Sequence, residues 1–222
     1  MWELNPRFAR HLDQDAFVAA MRVRLGADRG ARSLECHACG KRPGCRLHEH
    51  ALCCAPGPST SGHNEVRDIV LATAVVADPA AEPEVLGLLQ AAPGLHPADL
   101  LTSAACEGTL SALDVGIASP DARHAGLDAA ESMRLRKLAR YSRFLPELSK
   151  QGIVYQPLTW SCYGREHPAT SAALTLLARR AARRQGDRPW RYRLRQLRAE
   201  VGAALARHAA AMVVTCFGAL GG

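Results

Sequence analysis

Asp99 and Asp114 lie fifteen residues apart, one in "HPADLL" and the other in "ALDVGI", each inside an apolar run that reads as a strand. A lone carboxylate in such a run is costly to bury, so it needs a partner or a task. Two converging carboxylates can hold a hard divalent cation, and phosphodiester cleavage also needs a cationic group near the attacking water and the scissile phosphate. A site of this kind usually takes its lysine two residues after the second acid, yet that position is Gly116. Downstream, "ESMRLRKLARY" puts Lys137 and Tyr141 on one face of a helix, from which a lysine could enter the same space. Glu65, near the start of the helix preceding Asp99, is placed to offer a third carboxylate. The plainer alternative is that Arg134, Arg136, Lys137, Arg140 and Arg143 simply solvate their helix.

A second group of chemical residues is more compact. Five of the eight cysteines fall between Cys36 and Cys54, and such clustering favours a metal site over a disulfide framework. "CHACGKRPGCRLHEHALCC" offers Cys36 and Cys39 as C-x2-C, then His50 and Cys54 as H-x3-C. Two such pairs can converge on a tetrahedral Zn²⁺ whose binding energy replaces the missing core of a short segment. Cys45, His48 and Cys53 compete for the same role. Four protein ligands leave no open position for water, so zinc here would be structural. Cys106, Cys162 and Cys216, scattered among apolar neighbours, read as small buried hydrophobes.

The chain that must position these residues has 222 residues, 48% of them hydrophobic, which is enough for one principal domain with a small appendage. No secretory leader and no long unbroken apolar run is evident, so the expectation is an intracellular chain without a membrane span. From Arg165 onward, eleven arginines and no lysine face Glu166, Asp187 and Glu200, a net of +8; with +7 overall, the first 164 residues carry −1. A basic C-terminal part is what a phosphate-contacting surface looks like, and equally what solvated helix faces look like.

Periodicity and breakers divide the chain further. Residues 1–30 read as an N-terminal segment with a helix in "DAFVAAMRVRL", 31–56 as the Cys/His module and 57–62 as a Pro/Gly/Ser linker. A helix is expected from His63 to Val76, strands in "PEVLGLL", "ADLLTSAA" and "LSALDVGIAS", and a helix from Leu127 to Leu145 with Leu127, Leu135, Leu138 and Leu145 along one side. "GIVYQPLTWSCYG" reads as another strand that completes a core over 63–167. Arg-rich helices over Ala169–Gln185 and Tyr192–Met212 follow within 168–222. The sum is an α/β or α+β core with a small mixed sheet flanked by helices, behind a zinc-type module.

In their order, the Cys/His cluster, "GHNEVRD", "AEP", "HPADLL", "ALDV", "E…K-x3-Y" and "YQPLTWSCYGR" resemble the C-terminal region of non-LTR retrotransposon polyproteins of the restriction-like-endonuclease class. The resemblance covers roughly residues 20 to 185. It implies a CCHC zinc knuckle formed by Cys36, Cys39, His50 and Cys54, followed by a PD-(D/E)xK nuclease. Asp99 and Asp114 would be the Mg²⁺-binding acids, and Lys137 the lysine displaced onto the helix, with Tyr141 beside it. Glu65 falls where the superfamily often has a helix-borne acid, and Glu82 in "EP" also matches. Two departures are Ala98 between Pro97 and Asp99, and the lack of a reverse transcriptase, which makes the chain a fragment, degenerate copy or domesticated remnant.

The function so implied is Mg²⁺-dependent nicking of DNA, leaving a 3′-hydroxyl that in the resembled family primes reverse transcription. The module and Arg165, Arg179, Arg180, Arg183 and Arg184 would hold DNA, or RNA, chiefly through phosphates. Trp160 and Tyr163 could face the same ligand. A genomic substrate implies the nucleus, and a reverse transcriptase is the implied partner. The alternatives are a zinc-containing nucleic-acid-binding protein without activity and a protein-interaction module of a polyprotein.

Overall fold

The computed structural model describes residues 14–25, 34–44, 47–54, 56–123 and 125–218. Cys45 and parts of the N-terminal segment read from the sequence lie outside them. Seven helices and four strands are formed among the described residues: α1 (Gln14–Leu25), α2 (Leu47–Cys54), α3 (Pro56–Ala77), β1 (Glu82–Pro83), β2 (Leu100–Cys106), β3 (Thr109–Ala118), α4 (Ala129–Tyr141), α5 (Leu145–Lys150), β4 (Ile153–Ser161), α6 (Pro168–Gln185) and α7 (Trp190–Phe217). The strands form one mixed sheet in the order β1-β2-β3-β4, with β1, β2 and β3 antiparallel in succession and β4 parallel to β3. Joining parallel β3 and β4 requires a crossover, which α4 and α5 supply.

Alternation along β3 assigns the two faces of the sheet. Leu113 and Val115 enter the larger core with Leu158 and Trp160 of β4, beneath α3, α6 and α7. Ala112 faces the other way and packs with Tyr155, Tyr141, Phe144 and Leu148 under α4 and α5. Asp114 and Gly116 share this second face with Ala112. Each fully buried leucine in either core contributes about 1.5–3 kcal/mol relative to exposure. Trp160 is therefore a core residue, 1% exposed, and not a nucleic-acid contact.

Four expectations from the sequence are corrected. The Pro/Gly/Ser stretch 57–62 is helical, as part of α3. Gly62 shows why: a Cβ there would lie 2.7 Å from His208 Cγ, so glycine lets α3 lie close against α7. "PEVLGLL" is not a strand beyond Pro83, because Glu84 takes φ 48° and turns the chain out of the extended conformation. It continues as a loop that buries Leu88 and Leu89. The helix after β3 begins at Ala129, capped by Asp128, whose side chain accepts from Ala130 N and Glu131 N. Leu127 precedes it fully exposed, and Leu135 points outward. The stripe turned towards the sheet is instead Ala130, Met133, Lys137 and Tyr141, with a lysine in the middle.

The last correction concerns the separation of module and core. α7 has 28 residues, about 42 Å of helix, and it packs against α1, α2, α3 and α6. Its end buries Ala209, Met212, Val213, Cys216 and Phe217 against Cys36, Leu47, Ala51 and Leu52. By length and composition alone α7 could cross a membrane, but 56% of its most apolar window is buried inside this fold. The module thus docks on the end of α7 through an apolar cluster of its own, beside the main core. α1 meets α7 through Ala19 and Ala20 beside Ala206 and Ala210, and leaves Phe17, Met21 and Leu25 exposed.

Candidate functional site

Asp99 stands just before β2, where its backbone N–H donates to Leu113 O at 2.9 Å and its carbonyl accepts from Glu84 N. That pairing lays it beside the middle of β3. Its Oδ2 accepts from Val115 N at 2.6 Å. Its Oδ1 lies 3.1 Å from Nε2 of His63 on α3. Asp114, one residue before Val115, projects under α4, where Lys137 Nζ donates to its Oδ1 at 2.5 Å and Tyr155 Oη to its Oδ2 at 2.5 Å. The side chains of Lys137 and Asp114 are only 18% and 9% exposed, so this ion pair sits in a weakly screened environment.

Electrostatics separates the two acids. Burial pushes the Asp114 carboxyl above its ordinary pKa against the pull of Lys137 and Tyr155, and the charge of Asp99 adds to the push. Burial also opposes ionisation of Asp99, but the contact with His63, the Val115 N–H and the charge of Lys137 outweigh it and lower the pKa. Two carboxylates close enough to perturb one another are a site that a divalent cation would relieve.

Gly116 explains the route taken by the lysine. A Cβ at this position would come within 2.6 Å of Lys137 Cε and 2.8 Å of Met133 Cγ. The space that a side chain on the strand would fill is crossed by the stem of Lys137 from α4. A cleft of about 480 Å³ opens over it, lined by Ser59, His63, Gly116, Arg136, Lys137 and Arg140 among others.

The remaining predicted residues are placed differently. Tyr141 does not touch either carboxylate; its hydroxyl donates to His96 O at 2.8 Å and its ring packs 5.0 Å from that of Tyr155. Glu65 is two residues from His63 and so on a nearly opposite side of α3. It is bound by Arg207 and by His208, whose Nε2 lies 2.7 Å from Glu65 Oε2, and these partners hold its pKa down at about 2. It is therefore no third carboxylate of this site. Glu82 is exposed in β1. Sequence reasoning missed His63, although "GHNEVRD" contained it, and it missed Tyr155, whose alternation along β4 puts it on the face of Asp114.

The expected arginine surface also changes. Arg180 donates to the carbonyls of Ser103 and Cys106 and so holds the end of β2. Arg165 pairs with Asp128, and Arg179 lies over the Trp190 ring at 4.6 Å. Arg183 and Arg184 are exposed at the end of α6, on the far face of the sheet from α4. The arginines that line the cleft are Arg136 and Arg140 of α4. Tyr163 packs beside the module, with its hydroxyl 3.4 Å from Asp121.

In the module, ligand atoms of Cys36, Cys39, His50 and Cys54 all lie within 4.8 Å of one another. Cys36 Sγ and Cys54 Sγ are 3.9 Å apart, and Cys39 Sγ is 3.3 Å from His50 Nε2. A tetrahedral ion with Zn–S of about 2.3 Å sets sulfur–sulfur edges near 3.8 Å, so this Cys3His cluster fits a metal such as zinc. Burial disfavours the Cys36 thiolate, but hydrogen bonds from His50 and from the Ala38 and Cys39 backbone pull its pKa down to about 6. Of the rival ligands, His48 is buried outside the cluster and Cys53 is exposed. No family model, curated protein or solved structure matches the chain.

Proposed function

We propose that this protein is a divalent-metal-dependent nuclease that nicks DNA, with Asp99, Asp114 and Lys137 as the catalytic group. The observation that carries this reading is the nearness of these three residues, from the start of β2, the middle of β3 and α4: Lys137 pairs with Asp114, its charge acts on Asp99, and it lines a cationic cleft. The order of motifs shared with the restriction-like endonuclease region of non-LTR retrotransposons supports it, as does the Gly116 gap through which Lys137 passes. Asp99 and Asp114 would hold Mg²⁺, which supplies a Lewis acid against the scissile phosphate. Lys137 then offsets charge building on the phosphate oxygens and orients the attacking water through its ammonium protons. His63 and the Val115 N–H aim the Asp99 carboxylate, and Tyr155 aims that of Asp114. Arg136 and Arg140 meet flanking phosphates, and the product is a strand end with a 3′-hydroxyl. The Cys3His cluster would take structural zinc. By the same resemblance, the nick primes reverse transcription by an associated reverse transcriptase, in the nucleus.

One observation favours a second reading, a DNA-binding protein that does not cleave: each of the four carboxylate oxygens already faces a protein donor, namely His63, Val115 N, Lys137 or Tyr155. Plasmid nicking decides between them. The nuclease reading expects supercoiled plasmid to be nicked in Mg²⁺, with losses on the order of a thousandfold in Asp99→Ala and Asp114→Ala, or about 4 kcal/mol in the barrier. Nicking by the double mutant at the parental rate would sink it. DNA binding that survives both changes, with no nicking by the parent in any divalent ion, would install the second reading.

A further inference from the structure

The cleft over Gly116, which Lys137 lines, has a neighbour. A second cavity of about 180 Å³ adjoins it, lined by Leu52 and Cys53 of the module, the end of β3, the loop around Ala122 and Ala125, and Ser132, Met133 and Arg136 of α4. The two cavities share Ile117, Met133 and Arg136 as a common wall, so they lie side by side between Lys137 and the module. Their linings differ. The larger carries Lys137, Arg140 and His63, whereas the smaller is walled by Leu52, Ile117, Met133 and several alanines together with Cys53, Ser119 and Ser132, and Arg136 is the one cation among the described residues of its lining. Its hydroxyls have partners within the protein: Ser132 Oγ donates to Ala125 O at 2.5 Å, and Ser119 Oγ accepts from Asp121 N at 3.2 Å.

We infer that the smaller cavity receives one unpaired nucleobase of the DNA strand lying in the acid site, an inference that rests on the nuclease reading above. A phosphate finds too little charge there, and a base pair finds too little room. A single base suits apolar walls, and the Met133 thioether is a soft, polarisable surface against which an aromatic ring packs well. Arg136, at the junction, donates from Nη2 to Met133 Sδ at 2.9 Å, which fixes the thioether and leaves its other N–H groups for the phosphate of the same nucleotide. With the hydroxyls engaged internally, the cavity reads shape more than hydrogen-bond pattern, so it tolerates any base. Extruding a base costs least where it is already unpaired. The enzyme therefore prefers DNA carrying an unpaired nucleotide beside the cut over continuous duplex.

The test compares two short duplexes of equal length, one fully paired and one with a single bulged 2-aminopurine, bound to the Asp114→Asn protein so that no cleavage intervenes. Expected are about tenfold tighter binding of the bulged duplex and a change in 2-aminopurine fluorescence on binding. Ala122→Leu, which fills the cavity, should bring that ratio to about one, whereas Ala122→Ser should keep it; melting temperature and metal content show that both variants are folded. Equal affinities in the starting protein, or a ratio that survives Ala122→Leu, overturn the inference. Nicking by the parental protein without the preference removes the base site and leaves the nuclease. The preference without nicking removes the nuclease and leaves the base site.

Discussion

In the Cys/His module all four ligand atoms come from residues 36 to 54, whereas the carboxylate site draws His63, Asp99, Asp114, Lys137 and Tyr155 from two helices, two strands and the edge of a third strand. The first is local, sulfur-rich and closed by its own four donors. The second is oxygen-based, assembled only when the sheet and α4 are in place, and bordered by a cleft that His63 and Lys137 line. Soft thiolates select zinc while hard carboxylates suit Mg²⁺, so under the proposed function the two sites would not compete for one ion. Their dependence on the fold differs too. The module rests on one small apolar cluster that a bound metal would reinforce, while the acid site is held between the two larger hydrophobic cores whether or not a cation is present.

Metal removal tests that contrast with the largest expected effect. Chelation, or Cys36→Ser, should release one equivalent of zinc and cost on the order of 4 kcal/mol, because the cluster containing Cys36, Leu47, Ala51 and Phe217 loses its tether. Circular dichroism and melting should show loss of the module and of the end of α7, with the sheet retained. If the chelated protein melts as the untreated one does, the module is not organised by metal, and the contrast collapses.

Gly116→Ala probes the other site with a smaller effect. The added methyl meets the stem of Lys137 and Met133 Cγ, so both side chains must shift and the buried pair with Asp114 is disturbed, which should cost about 1–3 kcal/mol of stability. The displaced amine leaves Asp114 Oδ1, and nicking should fall by roughly 10- to 100-fold, about 1.4–2.8 kcal/mol. Combining the change with Lys137→Ala should add almost nothing to the loss caused by Lys137→Ala alone, since both act through one ammonium group. Additive losses would mean that Gly116 matters for another reason, such as approach of the DNA backbone.

The same contrast explains what could be read from residues alone. The Cys/His cluster was legible because C-x2-C and H-x3-C are local spacings, and the structure brings together the four residues they picked out. The strands around Asp114 and Val154 were legible from β-branched and apolar runs, and α6 and α7 from their period. Asp99, Asp114 and Lys137 could be ordered by resemblance, but spacing could not show that an Asp99 backbone pairing beside β3 makes them meet. The linker over 57–62 misled because Pro and Gly punctuate most chains. Here Gly62 serves close packing of α3 on α7, which no local rule anticipates. The arginines misled because total charge does not say which guanidinium caps a strand, as Arg180 does, and which lines a cleft, as Arg136 does.

Glu65 gives the finest discrimination, because it sits on the helix that serves the acid site yet binds the helix that docks the module. His208, burial and Arg207 set its environment, and the net result is a pKa of about 2 against an ordinary 4.5. A carboxylate depressed on folding stabilises the folded state fully above pH 4.5, and that contribution drains away as pH falls towards 2. Glu65→Gln should therefore lower stability at neutral pH by about 1–2 kcal/mol once solvent screening of this partly exposed cluster is allowed for. It should also flatten the decline in melting temperature below pH 4.5 relative to the parent. Nicking at neutral pH should stay within about twofold of the parent, a difference well under 1 kcal/mol. A loss like that of Asp114→Ala, in a variant that still melts cooperatively, would mean that Glu65 turns inward to the metal and that α3 rotates on binding DNA. The α3–α7 contact would then be the moving joint between the two sites.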